Sequence, residues 1–349
     1  MQPYLTALAE GRTLTQEEAE AAMHLMMRGE AAPEQIAGLL MGLRARGETL
    51  DELVGFTRVM RQYARPVRVD DPHAIDLCGT GGDRSGTFNI STTAAFVCAG
   101  AGVTVVKHGN RSVSSRAGSA DVLEALGVAI DLGPEGVERC LEDVGIAFAF
   151  APRFHPAMRH VMPIRRTLGV RTFFNILGPL CNPAGVRRQL VGAFRSDVAA
   201  TMVAILARLD AEHVVAVHAE DGLDELSLAA PTTTYEYQRG DEAPRTGRVE
   251  PEALGLKRVS KEQLRGGDAR TNARLLRQVL EGVRGPHRDV VLLNATYALY
   301  VSGRFGDDLH ACLEAARESI DSGAALERLE RLIAVSNQIA HEVTRQPAA

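Results

Sequence analysis

Residues 74–109 constrain this chain most. "AIDLC" reads as a short buried strand, "TFNISTTAAFVCAGAG" as a helix of small residues, and "VTVVKHG" as a second strand. Strand, helix and strand within about 35 residues make a βαβ unit, and the crossover forces its two strands to run parallel. The alternation continues. "GVAIDL", "IAFAFAP" and "QLVGAF" read as strands, "DVAATMVAILARL" as a helix and "HVVAVHAE" as another strand. The expected class is therefore α/β, with a central, mainly parallel sheet flanked by helices.

The flanks read differently. Residues 1–65 are helical in pattern: Thr15 stands three residues before Glu18, and Thr49 three before Glu52, the spacing of a capping box. Ala19, Met23 and Met26 then recur at helical spacing. Short connections between such helices predict an antiparallel cluster. Pro66 and Pro72 mark a linker, expected to act as a hinge. The segment 153–180 reads as helix and loop that could join the N-terminal helices. Residues 238–270 read as irregular with short strands, and 271–285, 288–301, 307–321 and 325–343 as helices.

Composition narrows the function classes. The chain has 349 residues and a net charge of −5, whereas a sequence-independent grip on nucleic acid usually needs a basic surface. No run approaches the roughly 18 apolar residues of a membrane helix. Five cysteines, none in a Cys-x-x-Cys pair, argue against a disulfide framework or zinc site and fit a reducing cytoplasm.

Candidate chemistry lies where strands end. In a parallel sheet the loops leaving the C-terminal strand ends share one rim, and ligands bind there. After "AIDLC" comes "GTGGD", with Gly79, Gly81 and Gly82 followed by Asp83. After "VTVV" comes "KHGNRSVSSRAGS". Glycines let backbone approach an anion, and the helix beginning near 90 turns a positive end towards the first loop. Asn89, Ser91 and Thr92 add donors. Lys107 and Arg111 add charge, and Ser114, Ser115 and Ser119 add hydroxyls. Asp83 would repel phosphate alone but suits sugar hydroxyls or a bridging Mg²⁺. A phosphorylated ribose carrying pyrophosphate meets all these requirements. The bland alternative is a tight turn with helix caps.

Two other patterns bear on the same ligand. "EDGLDELS" (220–227) holds Asp224 and Glu225, hard oxygen donors suited to Mg²⁺, although an isolated acidic loop is usually only solvated. In "MPIRRTLGVRT", Arg165, Arg166 and Arg171 offer a bidentate clamp for a carboxylate, although helical arginines usually face solvent. A P-loop is excluded because no Gly-Lys-Ser/Thr closes the loop. A dinucleotide fold is excluded because the glycine spacing differs and the second strand ends in Lys107 rather than an acid.

"GTGGD", "TFNIST", "KHGNR" followed by "SS", "GSADVLEALGV", "RRTLGVRTFFNILGPLCNPAG" and "DGLDELSL" together resemble the anthranilate phosphoribosyltransferases of tryptophan biosynthesis, over nearly the whole chain. The resemblance implies a small helical domain (1–70 with about 155–185) and an α/β domain (71–154 and 186–349). It implies a homodimer through the helical domain, and Mg²⁺-dependent transfer from phosphoribosyl pyrophosphate (PRPP) to the anthranilate amine. It implies that PRPP is held by Gly79, Gly82, Asp83, Thr87, Asn89, Ser91, Thr92, Lys107, Asn110, Arg111, Ser114, Ser115 and Ser119. Mg²⁺ would lie on Ser91, Asp224 and Glu225. Anthranilate would meet Gly79, Asn110 and Arg165, with His108 and His155 along its path. Lys107 would stabilise the leaving group, and no general base is expected. Arg84 departs from the small residue expected after "GTGGD", and Cys78 and Cys181 stand where ordinary apolar residues are expected. The rival readings are a pyrimidine nucleoside phosphorylase-like enzyme and a non-catalytic nucleic-acid-binding relative. No membrane or nucleic-acid partner is expected.

Overall fold

The computed structural model describes residues 1–83, 85–112 and 116–345. Arg84, Ser114 and Ser115 lie outside the described residues. The chain opens with α1 (Gln2–Ala9), α2 (Gln16–Arg28), α3 (Pro33–Arg46) and α4 (Leu50–Gln62). Both expected capping boxes form. Thr15 Oγ1 accepts from Glu18 N at 3.2 Å and Thr49 Oγ1 from Glu52 N at 3.3 Å, and each glutamate accepts from its threonine's N–H in return. Gly29, at φ 71°, ends α2 in the left-handed conformation that glycine adopts without strain.

The α/β part follows as β1 (Ile75–Gly79), α5 (Ile90–Gly100), β2 (Val105–Gly109), α6 (Ser119–Ala125), α7 (Pro134–Val144) and β3 (Ile146–Phe150). Short helical turns come next: α8 (Ala151–Phe154), a 3₁₀ turn (Pro156–His160), α9 (Met162–Leu168) and α10 (Phe174–Leu177). The chain then returns through β4 (Arg188–Gly192), α11 (Ser196–Arg208), β5 (His213–Ala219), β6 (Thr232–Gln238) and β7 (Arg245–Val249). It ends in α12 (Ala269–Leu280), α13 (Pro286–Ser302), α14 (Leu309–Asp321) and α15 (Ala324–Arg345). Among the described residues seven strands form one sheet in the order β3-β2-β1-β4-β5-β6-β7. The first five run parallel, β6 pairs antiparallel with β5, and β7 pairs antiparallel with β6. The sheet is thus mainly parallel, beside a small helical N-terminal unit.

Two expectations are corrected. "GVAIDL" is no strand: residues 128–132 bury Val128, Ile130 and Leu132 in alternation, but the N–H of Ala129 goes to Ser336 Oγ at 3.1 Å rather than to a neighbouring strand. Strand β6, "TTTYEYQ", escaped the reading although its Thr and Tyr residues carry a strand signal.

Two apolar cores sandwich the sheet. Ile75, Leu77, Leu190, Val215 and Val217 join one core with α5, α13 and α15. Val191, Val214 and Ala216, the alternate residues, join the other through α11 to α2, α3, α4 and the 157–181 segment. The Pro66–Pro72 linker is anchored rather than loose. Arg65 N donates to Phe154 O, Val67 N to Pro183 O and Arg68 N to Glu138 Oε1, at 2.8, 3.1 and 2.8 Å. Among the described residues no helix is long and apolar enough to cross a membrane.

Candidate active site

The strand order sets the site. From β1 the chain moves outward through β2 and β3, then returns to β4 on the other side of β1. The order reverses between β1 and β4, and in parallel sheets the crevice at such a point takes ligands. Gly79 and Gly192 are paired there, each the last residue of its strand. Gly192 must lack a side chain, and Gly79 leaves little room for one. A Cβ on Gly192 would lie 1.5 Å from the carbonyl oxygen of Asp224, and one on Gly79 would lie 3.0 Å from Asp224 Oδ2. The two glycines therefore make room for the acidic loop after β5.

The glycine loop and that acidic loop are tied together. Gly81 N donates to Asp224 Oδ2 at 2.8 Å, and Ser91 N, at the start of α5, donates to Glu225 Oε1 at 2.8 Å. Gly81 and Gly82 both have positive φ, 64° and 75°, a conformation that only glycine holds without strain. Asn294 of α13 fixes the acidic loop from behind by bonding both N and O of Leu226, at 3.0 and 2.9 Å. The other two acids of the loop have structural partners: Glu220 pairs with Arg248, and Asp221 accepts from Ser227 Oγ. Asp224 and Glu225 alone turn to the rim.

The electrostatics of this corner are strained. Burial raises the Asp224 carboxyl to about 7, with the charge of Asp83 adding to it. Burial raises Glu225 to about 8, with Asp224 adding to it. Asp83 Oδ2 is buried and has no hydrogen-bond partner among the described residues. Crowded carboxylates with an unsatisfied oxygen fit a cation or a set of hydroxyls. Among the described residues no three His, Cys, Asp or Glu side chains group to enclose a metal.

Lys107 lies beneath this corner, buried, with Nζ donating to Leu77 O at 2.6 Å and 3.4 Å from Ser91 Oγ. Burial lowers its pKa and the charge of Asp76 opposes that fall. Asp76, fully buried in β1, accepts from His108 N at 3.2 Å and Asn182 Nδ2 at 2.8 Å, and burial raises it to about 6. Asp76 and Asn182 went unnoticed in the sequence, although an acid inside the apolar run "AIDLC" was a usable signal.

The remaining predicted residues divide. Asn89 Oδ1 accepts from Asn272 Nδ2 at 2.9 Å, which anchors the α5 start to α12. Thr92 is buried in α5, and Thr87 Oγ1 sits 3.0 Å from Ser85 Oγ. Asn110 Oδ1 accepts from Arg111 N, and Ser119 Oγ donates to Asn110 O at 3.4 Å, closing the second loop. The Arg111 guanidinium is turned to Asp121 and Glu124 and lies over the Phe150 ring.

Arg165, His108 and His155 form the last predicted group. Arg165 is partly buried with its guanidinium 5.2 Å from the Phe174 ring centroid, and it has no ion-pair partner among the described residues. Burial lowers its pKa. The rings of His108 and His155 are 5.2 Å apart, and each leaves a buried Nε2 without a partner among the described residues. Burial depresses them to about 3 and 4, so both are neutral at pH 7. Arg171 does not join this side. It donates to Gly82 O at 2.6 Å.

Residues 2–64 match the glycosyl transferase family, helical bundle domain, and residues 71–326 the glycosyl transferase family, a/b domain. An anthranilate phosphoribosyltransferase of Salinibacter ruber is 63% identical over 345 residues, 98% of this chain and 100% of its own. One from Thermomicrobium roseum is 56% identical over 338 residues, 96% of this chain and 97% of its own. The crystal structure of the Thermus thermophilus anthranilate phosphoribosyltransferase is 45% identical with a TM-score of 0.89, covering 96% of this chain and 99% of that one. The Saccharomyces cerevisiae enzyme in complex with PRPP and Mg is 26% identical with a TM-score of 0.87, covering 97% and 98%. The chain belongs to the anthranilate phosphoribosyltransferase family.

Proposed function

We propose that this chain transfers the phosphoribosyl group of PRPP to the amine of anthranilate, giving N-(5-phosphoribosyl)anthranilate and pyrophosphate, a step of tryptophan biosynthesis. One observation carries the reading. At the β1/β4 crevice the glycine loop, Lys107 and the Asp224–Glu225 pair are interlocked by the Gly81–Asp224, Ser91–Glu225 and Lys107–Ser91 contacts.

In this reading the glycine loop, Thr87, Asn89, Thr92 and the second loop hold PRPP. Gly79, Asn110 and Arg165 receive anthranilate, with His108 and His155 lining its approach. The amine lone pair forms the new C1–N bond while the C1–O bond breaks, and that electron pair leaves on pyrophosphate. One amine proton is then released. Lys107 stabilises charge on the leaving group. Asp224, Glu225 and Ser91 would hold Mg²⁺, whose role when bound is to neutralise pyrophosphate charge. The aromatic amine is neutral near pH 7, and His108, depressed to about 3, is a poor base. Catalysis is positioning and leaving-group stabilisation.

The same reading divides the chain into a helical domain of 1–70 with about 155–185 and an α/β domain of the rest. It makes the protein a cytoplasmic homodimer through the helical domain. Met41 of α3, 39% exposed, is one of few large apolar side chains left open, which supports an interface there.

The test is loss of anthranilate fluorescence on mixing the protein with PRPP and Mg²⁺, with EDTA as control and mass spectrometry of the product. A Mg²⁺-dependent decay yielding phosphoribosylanthranilate is expected. A folded protein that leaves anthranilate intact but cleaves a pyrimidine nucleoside with phosphate would overturn the reading.

A further inference from the structure

Arg165 and Arg171 of "RRTLGVRT" have different neighbours, and Arg171 reaches the glycine loop. Its guanidinium donates to Gly82 O at 2.6 Å and lies 4.1 Å from the centroid of the Phe194 ring. Phe194 is itself held to the same loop, since its N–H donates to Thr80 Oγ1 at 3.0 Å. Thr80 N in turn donates to Gly192 O at 2.9 Å. A cation stacked on an aromatic face has its in-plane N–H groups fixed in direction.

The consequence falls on Gly82. Its φ of 75° follows the 64° of Gly81, and two successive left-handed glycines have few steric limits of their own. Something outside the loop must choose the direction of its peptides. Gly81 N is taken by Asp224. Among the described residues the N–H groups of Gly82 and Asp83 donate to nothing. A carbonyl drawn towards Arg171 turns the following amide the opposite way, leaving a pair of N–H groups free for an anion.

We infer that Arg171, seated on Phe194, is a positioning residue that orients the Gly82 peptide so that the glycine loop presents its amides to a phosphate-bearing substrate. The inference rests on the proposed PRPP reading and deepens it. It separates Arg171 from Arg165: Arg165 sits in the last turn of α9 and Arg171 just beyond that helix, and in the proposed reading the first meets the acceptor while the second serves the donor loop.

Calorimetric PRPP binding with Mg²⁺, followed by KM for both substrates, tests it on the full-length protein. Arg171→Met is expected to weaken PRPP binding about tenfold, the size of one lost charge-assisted hydrogen bond, and to leave the anthranilate KM within about twofold. Phe194→Leu, which changes no charge, is expected to weaken PRPP binding several-fold. The Arg171→Met/Phe194→Leu double variant is expected to be no worse than Arg171→Met alone, because the two act as one unit. Guanidinium added to Arg171→Gly is expected to recover part of the affinity. Equal PRPP binding by Arg171→Met and wild type, a rise confined to anthranilate KM, or strictly additive effects would each overturn the inference. Absence of PRPP binding by the wild type would instead overturn the functional reading beneath it.

Discussion

Glu52 in the helical bundle and Asp224 at the sheet rim are both buried acids, and their surroundings differ in kind. Glu52 accepts from Leu14 N and Thr49 N, each at 2.8 Å, and pairs with Arg46. Its charge has every partner it needs, and it ties α4 to the α1–α2 turn. Asp224 accepts from Gly81 N at 2.8 Å, but it faces Asp83 and sits beside Glu225, and burial, with like charges adding to it, raises both carboxyls of the pair. The first arrangement stabilises a fold. The second holds negative charge ready for something brought from outside, and costs stability until it arrives.

The sharpest way to break that contrast is at the rim. Asp224→Asn with Glu225→Gln should lower kcat/KM by about a thousandfold and flatten the Mg²⁺ titration. An unchanged Mg²⁺ dependence would remove the metal assignment. In the bundle, Glu52→Ala should cost about 3 kcal/mol of stability in urea unfolding, because it strands Arg46, the buried Leu14 amide and the partly buried Thr49 amide, while activity per folded molecule is kept. A fall in specific activity with unchanged stability would reverse the roles assigned here. Arg165→Ala should raise the anthranilate KM about tenfold to a hundredfold, the loss of a charged hydrogen-bonding partner, with PRPP nearly unaffected. Equal changes for both substrates would count against the clamp.

A smaller effect concerns pH. His108 and His155 are depressed to about 3 and 4 by burial, whereas in the unfolded chain they titrate near 6.5. The unfolded state therefore binds protons first as pH falls. Stability should decline from about pH 6.5 towards 4, and His155→Gln should flatten that decline. The smallest expected change is in turnover by His108→Asn. It should stay within a hundredfold of wild type, below the loss expected for a general base. Complete loss in a folded variant would restore the base hypothesis.

These contrasts also explain what the sequence reveals. The bundle's boxes at Thr15 and Thr49 were legible because capping is local, set by residues three apart. The βαβ unit and both rim loops were legible because strand ends and glycines carry their own signals. "GVAIDL" misled because alternation reports burial on one face, and strand pairing is decided elsewhere in the chain. Asp76 meeting Asn182, and Arg171 meeting Gly82, join residues 106 and 89 positions apart. No local pattern encodes such meetings. The burial of Asp83 Oδ2, and the neutral state of the two histidines, are defined only by the folded chain.

The most direct test of the contrast is thermal melting at pH 8.5, with and without Mg²⁺ and PRPP, for the wild type and the Asp224→Asn/Glu225→Gln variant. Both rim carboxyls have raised pKa values, so the free protein loses stability as pH rises from about 4, where they ionise in the unfolded chain, to about 7 and 8, where they ionise in the fold. The variant is expected to melt higher than the wild type when free, and only the wild type should gain on adding Mg²⁺ and PRPP. A variant that melts lower when free, yet gains as much from ligand, would contradict the claim that these acids are held for a bound cation.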